Sequence, residues 1–398
     1  MSRPSLEMAD IVRRAGRNFI ERNRSWLNRL HLKVLTAIER CRTAALGGHL
    51  DECVRCGHRA ISFNSCRNRH CPKCQANARD RWLEARQREL LPTRYVHVVF
   101  TLPHELAPLT LQNKRVMYDL LFRISAETLL EIARDPQHLG AHIGFFSVLH
   151  TWNQKLEHHP HVHCVVPAGG LSADHTRWIP SQYKFFLPVE VLSEVFRGKF
   201  REALEEAFAK GQLGFHGSMK AFARPKIFAQ LLRLTFRKKW VVYSKRPFGG
   251  AEHALRYLGC YTHRVAISNH RLVSFAEDQV TFRWRDSAHH NKQRLLTLHV
   301  NEFLRPFLLH VLPPGFVRIR HFGFLSTRKR STLLPLCFRL LGAVAVVPET
   351  AAASAGNRSQ QRVTWLCPHC NGPMLILERC TAFQLRFRSP PNLNSTAA

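Results

Sequence analysis

The sequence predicts an α+β protein with a mainly antiparallel sheet, preceded by a small module of helix and loop that a metal must hold together. Two observations carry this. Residues 41–78 contain GGH, CVRCGH and NSCRNRHCPKC with few apolar runs, too little hydrophobic surface to fold by burial alone. From Tyr95 onward, β-branched and aromatic runs mix irregularly with helical patterns and long insertions, unlike a regular βαβ series. The 398 residues allow two or three domains. We expect an N-terminal metal-stapled domain over 1–92, a larger α+β domain over 93–345, and a linker with a short CxxC tail over 346–398.

The elements follow in order. Ile11, Phe19, Trp26, Leu30, Val34 and Ile38 recur at near-helical intervals among arginines, so residues 1–40 read as amphipathic helix. A charged helix over 78–91 stops at Pro92. YVHVVFTLP reads as a buried strand ending at Pro103, followed by a helix over 113–134 and an apolar strand over 143–150. In NQKLEHHPHVHCVVPAGGL, Pro160 opens a strand and Gly169-Gly170 close it. Helices are predicted over 189–209, 225–239 and 251–261, with a short strand from Trp240 to Tyr243. Runs over 271–276 and 280–285 form a hairpin around Glu277-Asp278. Residues 348–361 read as a flexible linker and 388–398 as a frayed tail. No internal repeat is evident.

Lys and Arg total 59 against 28 Asp and Glu, a formal charge of +31. Spread along the whole chain, that excess calls for a polyanionic partner, and DNA is the expected one. The longest apolar run, Leu340 to Val347, is far short of the roughly 18 residues a membrane span needs. Positions 1–25 carry six arginines and no apolar block of the kind a secretory signal requires, so a cytoplasmic location is expected.

In that compartment twelve cysteines point to thiolates on metal rather than disulfides. Chance would give roughly 0.4 CxxC pairs, whereas three occur. Cys53, Cys56, Cys71 and Cys74, spaced C-x2-C-x14-C-x2-C, are the expected ligands of one structural Zn²⁺. Cys41, His49, His58, Cys66 and His70 crowd the same stretch, so a second ion or another choice of four stays open, with Cys41, His49, Cys66 and His70 as the second set. Cys367 and Cys370 form half a site that Cys380, Cys337 or His369 could complete. Arg55, Arg59, Arg67, Arg69 and Lys73, interleaved with the thiols, are placed to meet DNA phosphates.

On a strand, residues two apart share a face, so His161 and His163 of HVHCVV point the same way and offer two imidazoles to one metal, while Val162, Cys164 and Val166 enter the core. With 24 histidines, H-x-H is expected by chance roughly 1.4 times, so the pair needs context. Tyr257 and Tyr261 supply it. Four apart on a helix, they present two hydroxyls on one face, and chance would give Y-x3-Y only roughly 0.09 times among six tyrosines. A divalent ion on the histidines could polarise a phosphodiester that a tyrosine hydroxyl attacks, giving a 5′-phosphotyrosine, and two nucleophiles could make two successive cuts.

From about Arg40 to Leu341 the chain resembles the two-tyrosine rolling-circle transposases of bacterial insertion sequences of the IS91 type, whose HUH signature is histidine, hydrophobe, histidine. The resemblance rests on CRTAALGGH, NSCRNRHCPKC, HVVFTLPHEL, HTWNQKLEHHPHVHCVVPAGGL, WVVYSKRPFGG, YLGCYTHRVAISN, VTFRW and FVRIRHFGFL. It implies an N-terminal zinc-binding domain, an HUH catalytic domain built on an antiparallel sheet with flanking helices, and transposition through single-stranded DNA. It implies metal histidines at His161 and His163, nucleophiles at Tyr257 and Tyr261, and Mg²⁺ or Mn²⁺ in the catalytic site. HUH enzymes add a third ligand of Gln, Glu or His type, for which Gln154 is the candidate by spacing, with Glu157, His158 and His159 as rivals. His263 and Arg264 are candidate phosphate-charge stabilisers. One departure is Cys260, which stands between the tyrosines where the family carries arginine. Two other functions suit the same residues, a catalytically inactive DNA-binding regulator of the element and a plasmid replication initiator or relaxase.

Overall fold

The computed structural model describes residues 4–182, 186–248, 259, 265–286, 289–343 and 365–387. The predicted N-terminal helix is two: α1 (Met8–Arg22) and α2 (Arg29–Arg40). Asn28 breaks the run because its side chain accepts from the Leu30 and His31 N–H groups and starts a new helix. Asn23 accepts from the Trp26 indole at 2.9 Å and holds the turn between them. After β1 (Gly48–Cys53) and β2 (Arg59–Phe63), Pro72 opens α3 (Pro72–Gln87), as a proline at the first helical position does.

The central region is an antiparallel sheet. β3 (Tyr95–Thr101) pairs with β5 (His158–Pro167), and β5 pairs with β4 (Gly144–Trp152). At the edges lie β8 (Val242–Phe248) beside β3 and β12 (Ile319–Gly323) beside β4; all four pairings are antiparallel, in the order β12-β4-β5-β3-β8. Between them in sequence come α4 (Ala107–Gln112), α5 (Lys114–Arg134), the short hairpin β6 (Gly169–Leu171) with β7 (Trp178–Pro180), α6 (Val189–Ala209) and α7 (Pro225–Phe236). One sheet face buries Val96, Val98, Phe100, Val162, Cys164 and Val166 in a common core with Phe122 of α5, Phe196 and Phe200 of α6, and Trp240. The opposite face packs Tyr95, Phe146, Val148 and Val165 against Trp82 and Leu83 of α3.

The predicted hairpin forms as β9 (Leu272–Ala276) and β10 (Gln279–Asp286), with Glu277 and Asp278 both left-handed at φ 48° and 57°. Two consecutive positive φ values match the strand twist in a two-residue turn. β11 (Lys292–His299) extends this sheet and runs into the helix Val300–Leu309. Val280, Phe282, Phe303 and Leu304 share one core with Ile11, Phe19, Val34 and Ile38. The N-terminal helices therefore do not form a core of their own: their apolar face is completed by residues 266–311, far beyond the expected boundary at 92. After the helix Arg330–Leu340, the C-terminal β13 (Trp365–Leu366) and β14 (Pro373–Cys380) join β1 and β2 in a sheet of order β13-β14-β1-β2. The expected helix 251–261, the linker 348–361 and the tail 388–398 fall outside the described residues, apart from Gly259. Among the described residues, no helix is long and apolar enough to cross a membrane.

His310 joins the two cores. Its Nε2 donates to the Leu156 carbonyl at 2.9 Å and its Nδ1 accepts from the Thr151 hydroxyl at 3.1 Å, so the buried neutral ring is satisfied at both nitrogens. Burial holds its pKa down at about 4, while that of its stacked neighbour His158 is pushed to about 3 by burial and by the His310 charge. Both folded values lie below the unfolded one near 6.5, so the stability they contribute is present above that pH and is lost as the pH falls towards the folded values. We expect the urea midpoint to drop between pH 7 and pH 5.5, by about 1 kcal/mol of stability per histidine for each pH unit below 6.5. His310→Gln should flatten this dependence, and an unchanged slope in that variant would refute the assignment.

Candidate metal centres and catalytic face

β5 alternates as the sequence requires. Val162, Cys164 and Val166 lie in the helix-covered core, and His161 and His163 share the other face. Antiparallel register then adds a third imidazole, because His150 of β4 stands directly opposite His161. The ligand nitrogens of His150, His161 and His163 all lie within 4.8 Å of one another. Ring centroids are 4.4 Å apart for His150 and His163 and 4.8 Å for His161 and His163.

Two of these rings are oriented from behind. His161 Nδ1 lies 2.6 Å from the His159 carbonyl, to which it donates, leaving Nε2 as its ligand atom. His163 Nδ1 lies 2.8 Å from Nε2 of His97 on β3, and the two rings stack within 6° of parallel. Burial, with the charges of Lys245 and His161, lowers the His97 pKa to about 3, so His97 is neutral and orients His163 without adding charge. Trp152 stacks on His150 at 4.9 Å. Three convergent imidazoles with no carboxylate among them fit one divalent cation.

His150 is therefore a third candidate ligand in this geometry, beside the Gln154 expected from spacing. Gln154 lies past the end of β4 in the turn to β5, where its backbone carbonyl accepts from Arg271. Glu157 accepts from Asn153, His158 bonds the Tyr118 hydroxyl at 3.0 Å, and His159 supplies its carbonyl to His161. His150 and His97 were missed because each is a lone histidine in an apolar strand; only cross-strand register brings them to the pair.

The expected zinc set Cys53, Cys56, Cys71 and Cys74 does not converge. The structure forms two other sets, Cys41 with Cys66, Cys71 and Cys74, and Cys53 with Cys56, Cys367 and Cys370. In the first, Cys41 closes α2 and Cys71 precedes α3, and Cys74 Sγ lies 3.6 Å from Cys41 and 3.5 Å from Cys66. A tetrahedral ion with Zn–S near 2.3 Å places its sulfurs about 3.8 Å apart, close to these spacings. The C-x2-C-x14-C-x2-C reading fails because β1 and β2 carry Cys53 and Cys56 away in a separate sheet, where β14 brings their partners. Cys41 and Cys66 of the second expected set are ligand candidates, whereas His49 faces Asp51 at 3.4 Å. His70 is half-buried, and desolvation with the charge of Arg69 lowers its pKa to about 3. Of the residues expected to complete the Cys367/Cys370 half-site, Cys380 pairs with Gly48 at the far end of the strand, Cys337 lies in another core, and His369 packs on His58 with the rings tilted at 51°.

The basic residues divide. Arg67 is exposed, as are Arg55 and Arg59, the last bound to Glu52 at 2.5 Å. Arg69 instead turns inward, donating to the carbonyls of Phe316 and, at 2.8 Å, Pro313. Lys73 is mostly buried in an ion pair with Glu7. These two are tethers between segments, a correction to their expected contact with phosphate. Tyr257, Tyr261, Cys260, His263 and Arg264 lie outside the described residues. Gly259, between the two tyrosines in sequence, is described: a Cβ there would come within 3.1 Å of the Leu83 side chain. Leu83 in turn packs on the sheet face that bears the histidines.

A histidine-bearing antiparallel sheet with helices over its other face, joined to a thiol-rich N-terminal module, defines an α+β protein of the HUH type with a zinc-binding domain. Comparison with known proteins agrees. A family described as "Transposase zinc-binding domain" matches residues 11–102, and one described as "Putative transposase" matches residues 144–332. The chain is 51% identical over 384 residues to "Putative transposase y4qJ" of Sinorhizobium fredii (strain NBRC 101917 / NGR234), covering 95% of this chain and 96% of that protein. It is 28% identical over 336 residues to "Transposase for insertion sequence element IS801" of Pseudomonas savastanoi pv. phaseolicola, covering 82% of this chain and 79% of that protein. The chain belongs to the IS91 family of insertion-sequence transposases. No solved structure matches it.

Proposed function

We propose that this transposase moves its element by rolling-circle transposition, nicking and rejoining single-stranded DNA through 5′-phosphotyrosine intermediates. The supporting observation is the convergence of His150, His161 and His163 on one sheet face. A divalent ion held there would polarise the scissile phosphodiester, and three nitrogen donors suit Mn²⁺ better than the oxygen-seeking Mg²⁺. The hydroxyl oxygen of Tyr257 or Tyr261 attacks phosphorus, the 3′ oxygen leaves as a hydroxyl, and the phosphoester bond is conserved as Tyr–O–P. A 3′-hydroxyl at the target reverses the exchange and frees the tyrosine, so no high-energy cofactor is consumed. The second tyrosine serves the second cut. A net charge of +31 suits a partner that is polyanionic throughout, and the protein would act at the nucleoid.

The test uses full-length protein with 5′-labelled single strands from the flanks of its own gene. With Mn²⁺ we expect a covalent adduct that survives SDS. Tyr257→Phe and Tyr261→Phe should each impair a different step, and the double variant should form none. Adduct in the double variant would overturn the assignment. Tight, salt-sensitive DNA binding without any adduct from the wild-type chain would instead make it a DNA-binding regulator.

A further inference from the structure

The second thiol cluster draws its ligands from opposite ends of the chain, and we infer that it is a second zinc site: one Zn²⁺ joins the CxxC turn between β1 and β2 to that between β13 and β14, tying the C-terminal segment into the N-terminal module. The two turns are built alike. In the first, the Arg55 N–H donates to Cys53 Sγ at 3.4 Å, and the Gly57 N–H donates to the Cys53 carbonyl at 3.0 Å with Gly57 left-handed at φ 68°. In the second, the His369 N–H donates to Cys367 Sγ at 3.4 Å, and the Asn371 N–H donates to the Cys367 carbonyl at 2.9 Å with Asn371 at φ 54°. Amides aimed at sulfur stabilise thiolate, and the positive φ lets each turn fold back around it.

Across the cluster Cys53 and Cys370 Sγ are 3.4 Å apart, Cys56 and Cys367 3.7 Å, and Cys56 and Cys370 3.4 Å. A disulfide needs about 2.05 Å, and a tetrahedral zinc–thiolate site about 3.8 Å. None of the four is disulfide-bonded. Four sulfurs close the coordination sphere, which makes this a structural site and selects zinc over harder ions.

The strands agree independently of the thiols. β14 runs along β1 from Gly48↔Cys380 to Cys53↔Met374, which sets the two turns side by side at one end of the sheet. Buried Asp51 binds both halves, accepting from Ser62 of β2 at 2.5 Å and from the Trp365 indole of β13 at 2.7 Å. Among the described residues, the buried members of this cluster are Cys53, Cys367 and Met374, with Ala60, Trp365 and Cys370 partly buried against them. So small a core cannot hold two distant segments together without a metal. The matched zinc-binding domain ends at residue 102, so the C-terminal half of the site lies outside it.

The experiment counts metal and does not depend on strand chemistry. Full-length protein purified without chelator should carry two zinc ions per chain by mass spectrometry, and Cys367→Ser/Cys370→Ser should carry one, a twofold drop. Should the variant fold poorly, the wild-type chain loaded with cadmium-113 decides: two resonances at tetrathiolate shifts are expected. A single zinc or a single resonance in the wild-type chain would overturn the inference, as would two zinc ions retained by the double variant.

Discussion

Cys71→Ser is expected to unfold the N-terminal module. Cys41, Cys71 and Cys74 lie in the same core as Ile11, Phe19, Val34 and Phe303, and the thiols close α2 and begin α3. Removing one ligand leaves three clustered thiols, two of them buried, without a complete coordination shell, and a structural zinc contributes roughly 10–16 kcal/mol of apparent binding free energy to folding. That is comparable to the whole stability of an ordinary domain, about 5–15 kcal/mol. The loss should reach beyond residue 92, because the hairpin β9–β10 and the helix Val300–Leu309 share this core. Calorimetry should show the wild-type transition falling steeply with chelator and the Cys71→Ser chain lacking it in any zinc concentration. A variant that melts with the wild type, insensitive to chelator, would exclude a stabilising ion.

The second large effect concerns chemistry. His161→Ala and His163→Ala should each reduce metal-dependent nicking at least about 10³-fold, the rate equivalent of losing about 4 kcal/mol of transition-state stabilisation by the cation. His150→Ala should behave likewise if it is the third ligand, while Gln154→Ala should not. His97 gives a graded control. It touches His163 rather than the ion, so His97→Gln should weaken metal affinity about 10- to 100-fold, as loss of a partner behind a ligand does. Excess Mn²⁺ should then restore nicking to His97→Gln and not to His163→Ala. Failure of this separation would mean that His97 has a merely packing role.

Much of the catalytic sheet is legible in the sequence because its signals are local. The YVHVVFT and HVHCVV runs alternate with period two, so the faces of β3 and β5 follow from covalent geometry alone. The turn at Glu277-Asp278 is equally local. The break at Asn28 is written in residue types too, yet a continuous stripe of apolar residues hides it, since the capping asparagine competes with helix propagation only once its side chain finds the amides.

The metal sites divide along the same line. Residue types and CxxC spacing announced thiolate zinc and paired imidazoles, because ligand chemistry is a property of side chains. Which thiols share an ion, and which third histidine meets the pair, depends on strand pairing between segments tens to hundreds of residues apart. Cys53 lies six positions along a strand whose partner is β14, and His150 meets His161 only through the β4–β5 register. Composition and local pattern therefore determined the class of chemistry, the positive charge that suits a polyanionic partner, and most elements. Tertiary structure alone decided the ligand sets, the inward turn of Arg69 and Lys73, and the use of the C-terminus to finish the N-terminal sheet, because coordination and burial act on distance in space, and chain separation carries no information about it.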